Sequence, residues 1–580
     1  MAKIDSNDLN LRDILKDELY YQIPIYQRPY QWTEENCEKL LDDLFFNYED
    51  DRESDYFCGS LVLILISEDS KKARTYNIVD GQQRLSTFIL LAKVLAALYS
   101  ERLIEESKDY LQESVITKYG KKDRLNFSAV GFNSKKDFQY ALTSFNDAPV
   151  SNAKNNYLKN AIYLKNYLKK KEIEDINDFI EWLYLRVVFI TITCPDADKA
   201  LRIFSVLNAR GLPLHAIDVF KVELLKKLAN KKDQEEFVSR WSALHQKCSG
   251  NESKFPKRKE NKREKNATET LFSWYLTYLN PVTSGKSMEE RLADQFERLN
   301  KPPLEYFKGV EDFYNAYCKV LEMQDWHAHL LSYLASDFWR IILCASLLHR
   351  YSDQDIEALK ELLVKFYYQN WVATREEPKK QTNCNIIKAL KEKKSVESIA
   401  SIVKEYLDYH KITQDFKKNL QDSKLYEQHK RSSKNSWLRP ILILVEYSMS
   451  DDPYPKRIQM NDFHVEHILP QQPGSSSQWV KDFSEEERGL YTHSLANLTL
   501  LGGTKNAQAS NLDFKEKKEI YMGNAVKLGK DKRGREKPFK VMTCYDMTKN
   551  DVCRYTEWTP KSLEKRKEEL IQKIESVLTL

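Results

Sequence analysis

The sequence predicts a predominantly helical α+β protein, and three observations support this fold class. Only 15 of the 580 residues are glycine, well below the roughly 7% of an average protein, which favours helices over turn-rich structure. Residues from about 155 to 450 show helical periodicity almost throughout, as in "LLSYLASDFWRIILCASLLHRY" (330–351). Strand-like segments occur instead in the first 110 residues and after residue 460. At this length the chain should form several domains.

The amino-terminal elements mix strands with helices. Residues 20–32, "YYQIPIYQRPYQW", are extended and aromatic, and Thr33 is the predicted N-cap of the amphipathic helix that follows. Apolar segments at 60–66 and 73–79, separated by a polar stretch, predict a hairpin. "DGQQR" (80–84) then joins a buried strand to a strongly apolar helix. The expected order here is strand, tight turn, helix.

The composition is that of a soluble globular protein, with 42% hydrophobic and 31% charged residues. The net charge of +5 permits a nucleic-acid partner without requiring one. Nine single cysteines, with no Cys-x-x-Cys pair, argue against a paired zinc site or a disulfide framework. The sequence shows no signal-peptide pattern and no run of about 18 apolar residues, so we expect a cytoplasmic protein without a membrane partner.

Two basic segments are candidates for contact with DNA phosphates. Residues 254–266, "KFPKRKENKREKN", contain seven basic and two acidic residues, and residues 527–538, "KLGKDKRGREKP", form a second basic run. Such runs are also typical of solvated loops, so both interpretations stay open. The second run lies just after a histidine-rich segment, which favours phosphate contact there.

A polar cluster at residues 80–84 predicts a phosphate-binding site. The cluster precedes a helix, whose amino-terminal N–H groups and dipole suit an anion, and Arg84 can add a bidentate contact. Asp80 could hold a metal ion or a ribose hydroxyl. The alternative is an Asp-Gly turn with surface glutamines. A Walker loop does not supply a nucleotide site, because "GNAVKLGKD" (523–531), the nearest candidate, has the wrong spacing.

The amino-terminal part resembles the GmrS-like domain of GmrSD-type restriction endonucleases, a type IV, modification-dependent class. The resemblance rests on "IPIYQRPYQW", "IVDGQQRLSTFILL" and "IFSVLNARGLPLHAIDVFK". It implies a fold related to ParB and sulfiredoxin, binding and hydrolysis of a nucleoside triphosphate (ATP, GTP or CTP), and sensing of modified DNA. The implied nucleotide-binding residues are Arg28, Asp80, Gly81, Gln82, Gln83, Arg84, Asn208 and Arg210.

The segment "FHVEHILPQQ" (463–472) predicts a short strand that ends before Pro470. Taken alone, its histidines could equally be structural residues. Asn497 stands just before the apolar run "LTLL", and Asn506 follows at the predicted start of a helix. A strand with a histidine, a second strand preceded by an asparagine, and a helix with a third polar residue together predict a ββα-metal nuclease site.

The residue types match the hydrolysis of a phosphodiester. His467 is predicted to be the general base, because the pKa of histidine lies near neutrality. Glu466 and Asn506 are predicted to bind Mg²⁺ or Mn²⁺, since oxygen ligands suit these ions and the ion stabilises charge on the phosphate. Asn497 would orient the loop after His467 through backbone hydrogen bonds. Two further histidines are left as phosphate contacts or structural residues: His464 and His493.

A second resemblance, to the GmrD-like HNH domain of the same enzymes, rests on "VEHILPQ", "LANLTLL", "KNAQASN" and "FKEKKEIY". Together the resemblances predict a nucleotide-binding, DNA-sensing domain at 1–230, a helical middle at 231–430 and an HNH endonuclease domain at 431–580. They imply cleavage of double-stranded, modified phage DNA in phage defence, with a homodimer as one option. The modification could be glucosylated hydroxymethylcytosine or a phosphorothioate backbone. Two alternatives stay open: a nucleotide-switched DNA-binding regulator with an inactive HNH domain, and an RNA-cutting toxin.

Overall fold

The chain is mostly helical, with a mixed sheet near its amino terminus, as the sequence predicts. The computed structural model describes residues 4–16, 19–24, 27, 30–68, 73–118, 121–127, 132–146, 155–196, 199–200, 203, 216–257, 259–260, 263–431, 436–523 and 542–580. The chain divides into two compact units, residues 1–272 with 286–308 and residues 273–285 with 309–580. The division into three domains at 230 and 430 stays a prediction.

A six-stranded mixed sheet organises the first unit, in the order β1-β6-β3-β4-β2-β5. The strands are β1 (Asp5–Asn10), β2 (Leu19–Ile23), β3 (Tyr56–Glu68), β4 (Arg74–Asp80), β5 (Leu125–Phe127) and β6 (Val187–Cys194). Strand β3 pairs antiparallel with β4, which confirms the predicted hairpin, and parallel with β6. The prediction of nearly unbroken helix after residue 155 is wrong at β6. Its sequence, "VVFITITC", is rich in β-branched residues, and that signal outweighs the helical sequence on either side.

Helices surround this sheet in the first unit. Thr33 stands at the N-cap of Glu34–Asp50, as predicted, and its N–H donates to Asn36 Oδ1 at 2.9 Å. The helices of this unit are Leu11–Leu15, Glu34–Asp50, Gln82–Leu98, Glu105–Val115, Phe132–Ser144, Asn156–Lys170, Ile176–Leu185, Ala216–Lys226, Lys231–Gly250 and Met288–Leu299. A short pair, β7 (Lys259–Glu260) and β8 (Arg263–Glu264), lies in the same unit.

Strand β3 supplies side chains to apolar clusters on both faces of the sheet. Leu61 and Leu63 belong to the main core, which the helices cover. Val62, between them, packs with Val79 and Cys194 in a smaller cluster. Successive side chains of a strand point to opposite faces, so this alternation follows from the backbone geometry. The sheet is therefore buried on both sides at β3.

Helices also make up most of the second unit. Its helices are Trp326–Ser332, Phe338–Leu348, Asp353–Thr374, Lys380–Lys391, Val396–Tyr409, Ile412–Leu420, Leu425–Arg431, Leu438–Ser448, Gln478–Asp482, Glu485–Tyr491, Gly503–Ala509, Phe514–Tyr521 and Pro560–Leu578. Two helices, Ala267–Leu279 and Pro303–Glu322, run across the boundary between the units. Two strands, β9 (His464–His467) and β10 (Leu498–Leu501), form an antiparallel pair. None of the helices in the described ranges is both long and apolar enough to cross a bilayer.

Candidate active site

The strand pair β9–β10 carries the histidine-rich segment. His467 lies opposite Leu498 in the register, and Glu466 lies opposite Thr499. The helix Gly503–Ala509 begins two residues after β10 and carries Asn506. The order of strand, strand and helix is the order expected from the sequence. It brings the polar residues of all three elements to one region of the second unit.

Asn497 holds the turn that follows His467. Its fully buried Oδ1 accepts a hydrogen bond from the N–H of Leu469 at 2.7 Å, and its Nδ2 donates to the carbonyl of Leu469 at 2.8 Å. Nδ2 also donates to the carbonyl of Thr492 at 2.9 Å. The Trp558 indole N–H donates to the same Oδ1 at 3.2 Å. This side chain therefore fixes the backbone two residues beyond His467.

The C-terminal helix also reaches this turn. Arg566, which is fully buried, donates through Nη1 to the carbonyls of Ala496 and Leu498, on either side of Asn497. Its Nε donates to Asp551 Oδ2 at 2.8 Å. Two carbonyl acceptors and a carboxylate stabilise this buried charge, although Nη2 has no hydrogen-bond partner in the described part of the chain. The turn after β9 is thus anchored by residues far along the sequence.

His467 sits in an aromatic setting with 6% of its surface exposed. The ring of Tyr426 meets it edge-on, with centroids 4.2 Å apart, and the His493 ring lies 5.4 Å away. Gln471 Nε2 lies 3.3 Å from Nδ1 of His467. A glutamine amide can face an imidazole nitrogen with either its oxygen or its nitrogen. With its oxygen toward Nδ1–H, Gln471 would leave Nε2 of His467 as the proton acceptor.

Glu466 is engaged in a buried ion pair, which argues against its predicted role as a metal ligand. Its Oε1 accepts from Lys517 Nζ at 2.7 Å and from the Tyr521 hydroxyl at 2.9 Å. Lys517 also donates to the carbonyl of His467 at 2.7 Å. Burial raises the pKa of the Glu466 carboxyl and lowers the pKa of Lys517, while their mutual contact opposes both shifts. The Glu466 carboxylate is therefore already paired with a cation, the ammonium group of Lys517.

The sequence of the helix Phe514–Tyr521 carries a signal for this pair. "FKEKKEIY" places Lys517 and Tyr521 four residues apart, on one face of a helix. Both side chains are fully buried. A buried lysine requires a nearby anion. No carboxylate within the helix could serve from the same face, so the partner had to come from elsewhere in the fold.

Asn506 fits the chemistry of a metal ligand better than Glu466 does. Its Oδ1 is buried, and no donor in the described part of the chain hydrogen-bonds to it. An amide oxygen without a donor is a suitable ligand for Mg²⁺ or Mn²⁺. Asn506 lines a cleft of about 720 Å³ together with His464, Glu466 and His467. The exposed His464 ring lies so close to Gly503 that a Cβ there would come within 3.1 Å of its Nε2.

The segment 80–84 in the first unit makes a tight turn from β4 into the helix Gln82–Leu98. Gly81 adopts φ +94°, and a Cβ at this position would lie 2.6 Å from the Leu61 side chain. Arg84 donates to the carbonyls of Cys58 and Ser60 at 2.9 and 2.8 Å. The guanidinium therefore binds strand β3, which departs from the expectation that it faces a phosphate.

Gln83 also contacts the main chain. Its Oε1 accepts from the N–H groups of Gln31 and Trp32, at 2.7 and 3.0 Å. Asp80 Oδ2 accepts from the Ser60 hydroxyl at 3.3 Å, and Gln82 is buried. Three other predicted nucleotide-binding residues lie outside the described ranges: Arg28, Asn208 and Arg210. The basic run 527–538 also lies outside them, as does part of 254–266.

Comparison with protein families matches both ends of the chain. Residues 11–225 match the model of the GmrSD restriction endonuclease N-terminal domain. Residues 411–573 match the model of the GmrSD restriction endonucleases C-terminal domain, which includes the β9–β10 cleft. The comparison with curated proteins gives no match. Since the two matched regions cover well over half of the chain, and both models describe the same enzymes, this protein belongs to the GmrSD family of restriction endonucleases.

Proposed function

We propose that this chain is an endonuclease that hydrolyses DNA phosphodiester bonds in the cleft beside β9, with His467 as the general base. The observation that carries the proposal is the shared cleft: His467 and Asn506 both line it, and Asn497 fixes the backbone between them. A base and an oxygen ligand next to the same space are what phosphodiester hydrolysis requires. The domain match at 411–573 supports the same assignment.

His467 takes a proton from the attacking water in this proposal. In this proposal the Gln471 amide is flipped from the orientation in the structure, so that its oxygen accepts from Nδ1–H and leaves Nε2 to accept. Lys517 holds the carbonyl of His467, and Asn497 holds Leu469, so the ring is carried on a segment bonded on both sides. A base held in this way loses little entropy when it meets its substrate.

A divalent cation, Mg²⁺ or Mn²⁺, would be held through Asn506 Oδ1 and water, and would stabilise the negative charge of the phosphate and the leaving oxygen. Glu466 has only a secondary place in this proposal, because Lys517 already balances its charge. The ligand set therefore differs from the pair predicted from the sequence. Asn506 is retained, and Glu466 becomes a residue that holds the strand.

The substrate in this proposal is modified, double-stranded phage DNA, and a nucleoside triphosphate controls cutting. The amino-terminal unit would bind the nucleotide at the turn 80–84. Because Gln83 and Arg84 contact the main chain, the phosphates would meet the amino-terminal, positive end of the helix Gln82–Leu98, with Asp80 nearby. A nuclease that also encounters host DNA needs such control. A nucleotide that binds the cutting-competent and inactive states with different affinity can supply it.

The test is cleavage of plain and modified phage DNA by the full chain, with Mg²⁺ and with ATP, GTP or CTP in turn. We expect His467→Ala to lower the rate at least about 100-fold, the usual contribution of general-base catalysis. His410→Ala, which changes an exposed histidine on another helix end, is the matched control. Undiminished cutting by His467→Ala would remove this residue from the mechanism. Binding without cutting under every condition would favour the regulator, and cutting of RNA alone would favour the toxin.

A further inference from the structure

The cleft beside β9 has a second wall, to which no role has been assigned. Two helices, Leu425–Arg431 and Leu438–Ser448, contribute to it. Tyr426, His429 and Arg439 all line the same space as His467 and Asn506. DNA bound with a phosphodiester between the predicted base and metal ligand would occupy the same cleft as this wall. The chemistry of the wall therefore bears on how the substrate is held.

His429 is a buried imidazole, and one of its ring nitrogens, Nε2, has no hydrogen-bond partner among the described residues. Its exposed fraction is 6%, Nδ1 lies 2.9 Å from the Ser436 hydroxyl oxygen, and the ring meets Trp437 edge-on at 4.5 Å. A buried polar atom without a partner is unfavourable unless a ligand or water supplies one. Because His429 lines the cleft, that partner can come from the substrate.

The His429 ring is electrically neutral at physiological pH. Burial lowers its pKa to about 4, the nearby Arg375 adds to this effect, and Asp422 opposes it. When Ser436 donates its hydroxyl proton to Nδ1, the ring carries its own proton on Nε2. In that tautomer Nε2–H is a hydrogen-bond donor. A neutral donor suits the oxygen of a phosphate without requiring a second buried charge.

Arg439 supplies the charge on this wall. It is half-buried, its Nη1 donates to the carbonyl of Met460 at 2.9 Å, and its guanidinium lies over the ring of Phe463, 5.4 Å from the centroid. No carboxylate in the described ranges lies within 4.0 Å of its nitrogen atoms. Phe463 directly precedes β9, so the guanidinium is fixed next to the strand that carries His467. A positioned guanidinium without an acidic partner is suited to a phosphate.

We propose that His429 and Arg439 form a phosphate-binding subsite that holds the DNA backbone in the cleft of His467. Arg439 binds the phosphate by charge and Nε2–H of His429 donates to one of its oxygens. This inference rests on the proposed nuclease function, because that function makes DNA the ligand of the cleft. The subsite itself requires neither metal nor cutting, because backbone contacts form with any duplex.

The test measures binding of a fluorescent DNA duplex to the full chain in EDTA, so that cleavage cannot occur. We expect Arg439→Gln to weaken binding about tenfold and to reduce the slope of log K against log salt by about one, and His429→Gln to weaken binding about threefold to tenfold. Arg439→Lys should retain most of the affinity. Arg488→Gln is the matched control, since Arg488 is half-buried, donates to the carbonyl of Phe483 and lies outside the cleft lining.

Binding within twofold of the original chain for both Arg439→Gln and His429→Gln would overturn the subsite. Melting curves of each variant identify one that fails to fold, in which case the other decides. His467→Ala separates the two proposals, because it should bind the duplex normally while failing to cut. If Arg439→Gln and His429→Gln lose binding while His467→Ala cuts DNA undiminished, the phosphate-binding subsite stands and the role of His467 as general base is refuted.

Discussion

Replacing Lys517 with methionine would leave a carboxylate buried without its cation. Lys517 is fully buried, and the Glu466 side chain is 6% exposed, so solvent screening does not weaken their interaction. After the substitution the Tyr521 hydroxyl and the backbone N–H of His467 still donate to Glu466, but the carbonyl of His467 loses its lysine donor. Methionine fills most of the space of the lysine stem. The main effect is therefore electrostatic and local to β9.

We expect Lys517→Met to destabilise this region by about 3–5 kcal/mol, the usual loss when one partner of a buried ion pair is removed. The loss should depend on pH. Without Lys517 the pKa of Glu466 rises further, so the folded state favours the protonated carboxyl. The loss of stability is then smallest at a pH below about 4.3, the pKa of the Glu466 carboxyl in the unfolded chain. It grows with pH until the pH exceeds the pKa of Glu466 in the folded variant. The double variant Glu466→Gln/Lys517→Met should recover part of the loss.

Hydrogen exchange on the full chain measures this local stability. The amide of Ile468 donates to the carbonyl of Asn497 and that of Leu469 to its side chain, so both report directly on the turn after β9. A loss of about 3–5 kcal/mol corresponds to exchange roughly a hundredfold to several thousandfold faster at neutral pH. Exchange that accelerates less than about tenfold would refute the view that this pair holds the strand.

Two further predictions concern Gln471 and Gly59. Gln471→Glu should place a carboxylate near His467 Nδ1 and so raise the pKa of the imidazole. The acid limb of the pH–rate profile should then move up by about one pH unit. Gln471→Met, the control, should cause no such rise. Gly59→Ala should destabilise the first unit by about 2–4 kcal/mol in thermal unfolding, because Gly59 has φ +117° and a Cβ there would lie 1.7 Å from Arg84 Nη1. Gly250→Ala, where a Cβ meets nothing within 4 Å, is the control, and equal melting of the two variants would contradict the reasoning.

Local patterns are sufficient to predict the elements around the candidate active site. The strand at 464–467, the second strand after Asn497 and the helix with Asn506 all follow from residue types within a few positions of each other. Strand β6 was missed for the opposite reason. Its eight residues lie between helical segments, and their β-branched composition becomes decisive only because they pair with β1 and β3.

Long-range contacts explain where the site prediction was incomplete. The partner of Glu466 lies 51 residues away, so adjacency to His467 could not tell a metal ligand from half of an ion pair. The same limit applies to Arg84, whose carbonyl partners lie 24 and 26 residues earlier in the sequence. A charged residue in a sequence motif indicates only that a charge is needed at that position. The folded structure decides what the charge is paired with.

The anchoring of the β9 turn by Arg566 has a consequence for synthesis. Arg566 binds carbonyls 70 and 68 residues before it, and Trp558 reaches Asn497 across 61 residues. A growing chain that already contains His467, Asn497 and Asn506 therefore still lacks the groups that hold the backbone around Asn497. Domains fold as their residues emerge, so the candidate active site would be completed only after the helix Pro560–Leu578 has formed. If the proposed site is the one that cuts, an unfinished chain in contact with the DNA of its own cell could not yet cut it.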